Sequence, residues 1–187
     1  MKKFELTAES KINIFGKKLF RIKALISFGD VEEGETGGWI EKEENLEQSS
    51  GNAWVYGNAE VYGNAWVYGN AEVYGNARVY GNAWVSGNAR VYGNAWVSGN
   101  ARVSGDAEVS GNADYTTIHG FGTQFRTTTF FQCEDKQIRV SCGCFLGTIP
   151  EFREQVKNTR EGKIAEEYLM IADLMEKHFV KEKESGE

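Results

Sequence analysis

A six-residue repeat runs without interruption through residues 51–116. Ten of its eleven copies read Gly-(Asn/Asp)-Ala-x-Val-(Tyr/Ser), and the last copy, residues 111–116, is a weaker version of the same pattern. A repeat sustained over this length is typical of solenoids, in which each unit buries its apolar face only against its neighbours. The repeat therefore sets the architecture of about a third of the chain.

The Ala-x-Val segment of each copy predicts a short strand. Side chains alternate between the two sides of a strand, so Ala and Val point one way and x points the other. Ala53, Val55 and their equivalents suit an interior, whereas x is Trp, Glu, Arg or Asp and suits solvent. The Gly-Asn pair favours a corner, because Gly is free at positive φ and Asn tolerates the left-handed region. A corner every six residues predicts a chain that coils.

This pattern resembles the hexapeptide repeats of the acyltransferase superfamily, with Val in the aliphatic position and Ala in the small one. The resemblance implies a left-handed parallel β-helix in which three hexapeptides close one triangular coil. The general rule for parallel crossovers favours the right-handed form, so the handedness comes from the resemblance alone. The expected fold class is mainly β: a left-handed parallel β-helix with a small N-terminal β cap and a C-terminal strand-plus-helix cap.

Three hexapeptides per coil would stack residues that are eighteen positions apart, about 4.8 Å from one another. The outward x residues then form three ladders in which opposite charges alternate and Arg lies next to Trp, an arrangement that favours cation–π contacts. Such ladders are also sufficient simply to make a rod soluble and stiff. They consist of Trp54, Glu72, Arg90 and Glu108; of Glu60, Arg78, Trp96 and Asp114; and of Trp66, Trp84 and Arg102.

Candidate binding residues lie in the first half of the repeat, where the corner residue is mostly Tyr rather than Ser. Exposed aromatic patches are typical of contact surfaces. Three interpretations stay open: a subunit interface, a partner site, or ladders that only support one another. Self-association as a trimer or dimer is favoured, since hexapeptide proteins commonly trimerise. The predicted binding residues are Trp66, Trp84, Arg102, Tyr56, Tyr62, Tyr68, Tyr74 and Tyr80.

The chain divides into three regions: an N-terminal β cap at 1–36, the β-helix at 37–116 and a C-terminal capping region with two helices at 117–187. A β-helix exposes an unpaired strand edge at each end, and the flanking regions are expected to cover these edges. Thr148 and Glu151 form a capping-box pattern around Pro150, which predicts the start of the first helix. The charged tail at 181–187 is expected to fray.

The cysteines predict neither a metal site nor a disulfide framework. Ile138, Val140, Cys142 and Cys144 alternate with other residues, which predicts a strand with both cysteines on its buried face. The Cys-x-Cys spacing lacks a second pair and differs from the usual spacing of zinc ligands. We expect no cofactor.

Charge and hydropathy exclude several partners. The net charge is −6, and no basic block is present that would neutralise the phosphates of a nucleic-acid duplex. No apolar stretch approaches the length of a membrane span, and the start of the chain lacks the apolar core of a signal peptide. A cytoplasmic protein is expected.

Two further motifs flank the repeat. They read Gly37-Gly38-Trp39-Ile40-Glu41-Lys42-Glu43-Glu44-Asn45-Leu46 before it and Thr128-Thr129-Phe130-Phe131 with Val140-Ser141-Cys142-Gly143-Cys144-Phe145-Leu146-Gly147-Thr148 after it. With the repeat, these motifs make the whole chain resemble a set of uncharacterised hexapeptide-repeat proteins from phages, prophages and gut bacteria. The resemblance implies a phage-associated setting, hence the cytoplasm of a host cell, and implies no activity.

The sequence favours binding over catalysis. Hexapeptide acyltransferases use a catalytic His, but His119 lies just past the repeat, His178 lies in the last helix, and no loop interrupts the coils. No phosphate-binding loop or Ser nucleophile motif is present. We expect a non-enzymatic binding or scaffold protein, and the phage setting suggests a counter-defence protein that binds a host immune protein or sequesters a nucleotide signal. The alternatives are an acyltransferase that uses His119 as its base and a purely structural rod or spacer.

Overall fold

The structure of the protein, a computed structural model, describes residues 2–180, so the prediction for the tail at 181–187 lies outside the described residues. A parallel β-solenoid of about four turns lies between N-terminal antiparallel strands and a C-terminal antiparallel sheet with two helices. The N-terminal strands are β1 (Phe4–Ile12), β2 (Lys18–Ala24) and β3 (Thr36–Ile40), and a 3₁₀-helix follows at Glu43–Asn45.

The solenoid strands are two residues long, and each contains the x and Val positions of one repeat. They are β4 (Trp54–Val55), β5 (Glu60–Val61), β6 (Trp66–Val67), β7 (Glu72–Val73), β8 (Arg78–Val79), β9 (Trp84–Val85), β10 (Arg90–Val91), β11 (Trp96–Val97), β12 (Arg102–Val103) and β13 (Glu108–Val109). The C-terminal elements are β14 (Tyr115–Phe121), β15 (Arg126–Gln132), β16 (Ile138–Cys142), β17 (Phe145–Thr148), α1 (Ile149–Thr159) and α2 (Gly162–His178).

The solenoid has three faces, each a parallel sheet. The first face contains β4, β7, β10 and β13, the second contains β5, β8 and β11, and the third contains β6, β9 and β12. Each pairing joins a residue to the one eighteen positions later, as Glu60 pairs with Arg78. This register confirms the coil of three hexapeptides. The pairing is the same for either hand, so the left-handed coil stays a prediction from the resemblance.

Alanine and valine fill the interior of the solenoid. From Ala53 to Val109, every Ala and Val of the repeat is at most 1% exposed, and these side chains form one continuous core. Burial of each Val contributes roughly 1.5–3 kcal/mol before the cost of ordering the chain. This burial confirms the inward assignment of both positions, and the small size of Ala allows the three sheets to approach closely.

The corners combine a backbone constraint with a side-chain ladder. The Gly that begins each of the ten regular repeats has a φ between +56° and +72°, a region that other residues rarely adopt. Asn64 Nδ2 donates to Asn82 Oδ1 at 3.1 Å, and Asn82 Nδ2 donates to Asn100 Oδ1 at 3.0 Å. Asn therefore links successive coils in addition to shaping the turn, a role that the repeat pattern alone did not predict.

The N-terminal region covers the first edge of the second face. β3 pairs in parallel with β5, and β2 and β1 add to β3 as antiparallel strands. Trp39 pairs with Glu60, an offset of 21 residues instead of eighteen, because the first coil is three residues longer than the others. The edge strand of the solenoid is therefore paired instead of exposed.

Two outward positions predicted to face solvent are buried beneath this region. Trp54 is 0% exposed because Phe4 and Phe28 pack against it, with ring centroids at 6.1 and 5.4 Å. Glu60 is 6% exposed, and Lys11 and Arg78 approach its carboxylate at 2.8 and 3.3 Å. The solvent assignment is wrong at these two sites because the N-terminal strands extend along the side of the rod.

The C-terminal sheet covers the other end. Its strand order is β14-β15-β16-β17, and β15 contacts both β12 and β13. The backbone N–H of Arg102 donates to Thr129 Oγ1 at 3.0 Å, which fixes this sheet to the last coil. α1 and α2 pack on the sheet through a second core that includes Phe130, Phe152 and Tyr168.

The last repeat copy leaves the coil. Asp114, predicted to continue the ladder above Trp96, instead accepts hydrogen bonds from the backbone N–H groups of Ser110 and Gly111 at 2.9 and 3.0 Å. The backbone N–H of Trp96 donates to Asn112 Oδ1 at 2.8 Å. The ladder therefore ends at Trp96, because the hydrogen bonds of Asp114 and Asn112 turn the chain toward β14.

The capping box at the start of α1 is confirmed, whereas the assignment of Cys144 is wrong. Glu151 N donates to Thr148 Oγ1 at 3.3 Å, and Thr148 N donates to Glu151 Oε2 at 2.7 Å. β16 ends at Cys142, so Cys144 lies in the following turn and is exposed. In residues 2–180, no helix has the length and apolar character needed to cross a membrane.

Substitution of a corner glycine tests the close approach of the coils. In Gly75→Ala, the new Cβ would lie 3.0 Å from the amide nitrogen of Gly93, and φ at this position is +70°. Gly99→Ala is a matched control, with φ +68° and nothing within 4 Å of the new Cβ. We expect both variants to lose about 1–2 kcal/mol of unfolding free energy from the backbone conformation. Gly75→Ala should lose about 1 kcal/mol more in urea denaturation, and equal losses would contradict close stacking.

Candidate functional site

The third face presents four predicted residues that contact one another. Tyr68 stacks on Trp66 with ring centroids 4.1 Å apart, and Trp84 meets Trp66 edge to face at 5.8 Å. The guanidinium of Arg102 lies over the Trp84 ring at 4.7 Å, which confirms the predicted cation–π contact. We call Trp66, Tyr68, Trp84 and Arg102 the third-face cluster.

The eighteen-residue register positions this cluster. Trp66, Trp84 and Arg102 occupy the x position of three successive coils, and Tyr68 is the corner residue that follows Trp66. Trp84 is 37% exposed, a large value for a tryptophan held in a strand. The cluster therefore offers aromatic surface and positive charge to solvent from a rigid backbone.

The candidate residues of the second face are covered by the protein itself. Tyr62 and Tyr80 stack in parallel with ring centroids 5.1 Å apart, and Phe15, from the turn between β1 and β2, lies 6.2 and 5.8 Å from them. Tyr62 is 4% exposed, so its predicted outward position is wrong. Its burial, with a smaller contribution from Tyr80, raises the pKa of the Tyr62 phenol to about 12.

The candidate residues on the first-face corners are partly covered. Tyr74 stacks on Tyr92 with ring centroids 5.0 Å apart. Tyr56 is half-buried against the solenoid core, and burial, followed by the nearby Glu72, raises its pKa to about 12. The eight predicted binding residues therefore form three separate groups, and among these eight only the third-face group contains Trp and Arg as well as Tyr.

The C-terminal sheet adds a wall beside the third-face cluster. A cavity of about 180 Å³ is lined by Tyr68, Trp84, Arg102 and, from the turn after β16, Cys144. A second cavity of about 500 Å³ is lined by Arg102 and Cys144 together with His119, Phe125 and Arg126. Sequence reasoning missed this wall, because no periodic signal relates the sheet to the face that it meets.

Among residues 2–180, neither histidine forms an ion pair with a carboxylate. His119 Nδ1 lies 3.3 Å from Thr127 Oγ1, and neither cavity beside the third-face cluster is lined by Asp or Glu in the described part of the chain. His178 lies at the end of α2 against Phe179. Within residues 2–180, no three His, Cys, Asp or Glu side chains form a group that suits a metal ion. The local chemistry suits stacking and the binding of negative charge.

The fold and this surface define a β-solenoid protein that is capped at both ends. Three segments of the chain, residues 53–69, 71–87 and 83–99, match the family described as the YdcK beta-solenoid repeat. These segments lie inside the repeat and leave both end regions unmatched, so the similarity supports the β-solenoid fold of the rod. No curated protein matches the chain significantly.

Removal of Phe15 tests the cover over the second face. In Phe15→Ala, we expect the pKa of Tyr62 to fall from about 12 toward the unperturbed value near 10, because water reaches the phenol. Ultraviolet titration of tyrosinate measures this change, and Phe125→Ala serves as a control that removes an exposed Phe elsewhere. In the wild type, Tyr62 makes the free energy of unfolding fall as pH rises from about 10 to about 12, since the unfolded phenol ionises first. An unchanged titration in Phe15→Ala would contradict this cover.

Proposed function

We propose that the protein is a non-catalytic binding and scaffold protein that holds a partner on the third-face cluster. One observation carries the proposal: Trp84 and Arg102 of this ladder are exposed, whereas N-terminal residues cover Trp54 on the first face and Tyr62 on the second. Trp, Tyr and Arg are the residue types that contribute most to binding energy at protein interfaces.

The rigidity of the rod supports this proposal. Trp66 N donates to Ala83 O at 3.0 Å, and Trp84 N donates to Ala101 O at 2.9 Å, so both strands are held by the next coil. Binding to a surface that is already ordered avoids the entropy cost of ordering that surface.

The kind of partner is proposed from the resemblance of the whole chain to phage and prophage proteins. The resemblance to phage and prophage proteins favours a counter-defence protein that binds a host immune protein or sequesters a nucleotide signal. Self-association into a dimer or trimer would bring aromatic surfaces of neighbouring rods together. A measurement of mass in solution distinguishes a single rod from such an assembly.

Substitution in the third-face cluster tests the proposal. We expect Trp84→Ser to retain about tenfold less of a specific host partner than the wild type in quantitative pull-downs from infected cells, because loss of a central Trp removes about 1.4 kcal/mol or more. Tyr74→Ser, on a first-face corner, is the matched control and should retain the partner. Equal retention by Trp84→Ser and the wild type, or no specific partner, would favour the spacer alternative.

The acyltransferase alternative rests on His119, which lines a cavity beside the rod. That alternative predicts turnover of acetyl-CoA with amine or sugar acceptors and its loss in His119→Ala. We expect no turnover by either protein, since the described lining offers no carboxylate to orient the imidazole. Turnover by the wild type that disappears in His119→Ala would overturn the non-catalytic proposal.

A further inference from the structure

The arginines of the chain divide into two groups. All eight arginines of the sequence lie within residues 2–180. Five form ion pairs with carboxylates, namely Arg21, Arg78, Arg90, Arg139 and Arg153. The other three, Arg102, Arg126 and Arg160, form no ion pair with any described residue.

The three unpaired arginines line one groove. Arg102 lines the cavities of about 180 and 500 Å³, and Arg126 lines the latter and a third cavity of about 210 Å³ between the C-terminal sheet and the helices. Arg160 lines this third cavity, and Cys144 lines all three, so the cavities adjoin. We call the linings of these three neighbouring cavities, taken together, the arginine groove. No described Asp or Glu lines any part of it.

The turn between β16 and β17 brings two of these guanidinium groups together. Arg102 Nη1 donates to the Gly143 carbonyl at 3.5 Å, and Arg126 Nη1 packs so closely against Gly143 that a Cβ there would collide with it. Gly143 has φ +63°, so glycine meets both the steric and the backbone requirement. Arg160 Nη1 donates to Thr159 O at 2.9 Å. Each guanidinium has five N–H donors, so most of them stay available to a ligand.

This accumulation of positive charge contrasts with the rest of the molecule. The net charge is −6, yet three arginines share a groove without a carboxylate, so an anion that binds there meets positive charge that no described side chain neutralises. The planar guanidinium fork matches a phosphate with two parallel hydrogen bonds. Trp84 and Tyr68 line one end of the groove, and aromatic side chains are the type on which nucleobases stack.

We infer that the arginine groove binds a nucleotide with two or more phosphate groups, its base against Trp84 and Tyr68 and its phosphates along Arg102, Arg126 and Arg160. The inference rests on the proposed function, since the third-face cluster supplies the stacking surface. A small nucleotide suits the groove better than a nucleic-acid duplex does, because the acidic remainder of the protein repels a long polyanion.

Calorimetric titration of the full chain with ATP and with cyclic di-AMP tests the inference, with adenosine as the ligand that lacks phosphate. We expect at least one of the two phosphorylated nucleotides to bind, at least tenfold more tightly than adenosine and more weakly at high salt. Absence of binding by both at millimolar concentration, or equal binding of adenosine, would overturn the inference.

Variants locate the site. Arg102→Ala, Arg126→Ala and Arg160→Ala should each weaken binding about fivefold or more, since each removes a charge-assisted contact with a phosphate. Arg90→Ala is the matched control, because Arg90 is an exposed x residue of the same rod that pairs with Glu72. All four side chains are exposed, and circular dichroism verifies that the variants fold. Equal weakening in Arg90→Ala would place the nucleotide elsewhere and overturn the assignment.

The two proposals fail separately. If no nucleotide binds but Trp84→Ser still loses a partner that the wild type retains, the inference is wrong and the proposed function stands. If nucleotides bind through the three arginines while Trp84→Ser leaves both partner and nucleotide binding unchanged, the third-face cluster is not the contact surface. In that case the groove binds phosphate without stacking of the base.

Discussion

The structure depends on backbone hydrogen bonds between coils that lie eighteen residues apart. The bond from Trp66 N to Ala83 O at 3.0 Å is one of a series that continues along all three faces. These bonds form only where the backbones approach closely, which requires Gly at the corners and Ala inside. Once they form, each outward side chain of the middle coils has a fixed neighbour above and below it. The third-face cluster follows directly from this constraint.

Given the coil of three hexapeptides that the resemblance implies, the repeat predicted the ladders and the cation–π pair of Trp84 and Arg102, because both follow from the spacing of the x residues. It did not predict the cover over Trp54, Glu60 and Tyr62. That cover comes from contacts between residues far apart in the sequence, such as Phe15 against Tyr62, and no period relates the N-terminal strands to the rod. A polar residue at an outward position predicts solvent exposure only where no other segment of the chain packs over it.

The candidate site, like the fold, was predictable from the sequence only where its residues belong to the repeat. Arg102 was found because it belongs to a ladder, whereas Arg126 and Arg160 come from β15 and the end of α1, where the sequence gives no period. All three arginines lack a carboxylate partner in the described structure. This property depends on which residues are neighbours in space, and the spacing of residues along the sequence does not reveal it. Identical side chains thus have different roles: Arg90 is neutralised by Glu72, and Arg102 is left to a ligand.

The C-terminal sheet has a fixed orientation about the axis of the rod, because Arg102 N of the last coil donates to Thr129 Oγ1 of the sheet. Gain or loss of three hexapeptides would change the length of the rod by one coil and return the sheet to the same face. Gain or loss of a single hexapeptide would rotate the sheet by a third of a turn and place Arg126 beside a different ladder. The number of hexapeptides would therefore determine, without any point mutation, which face of the rod the sheet lies beside.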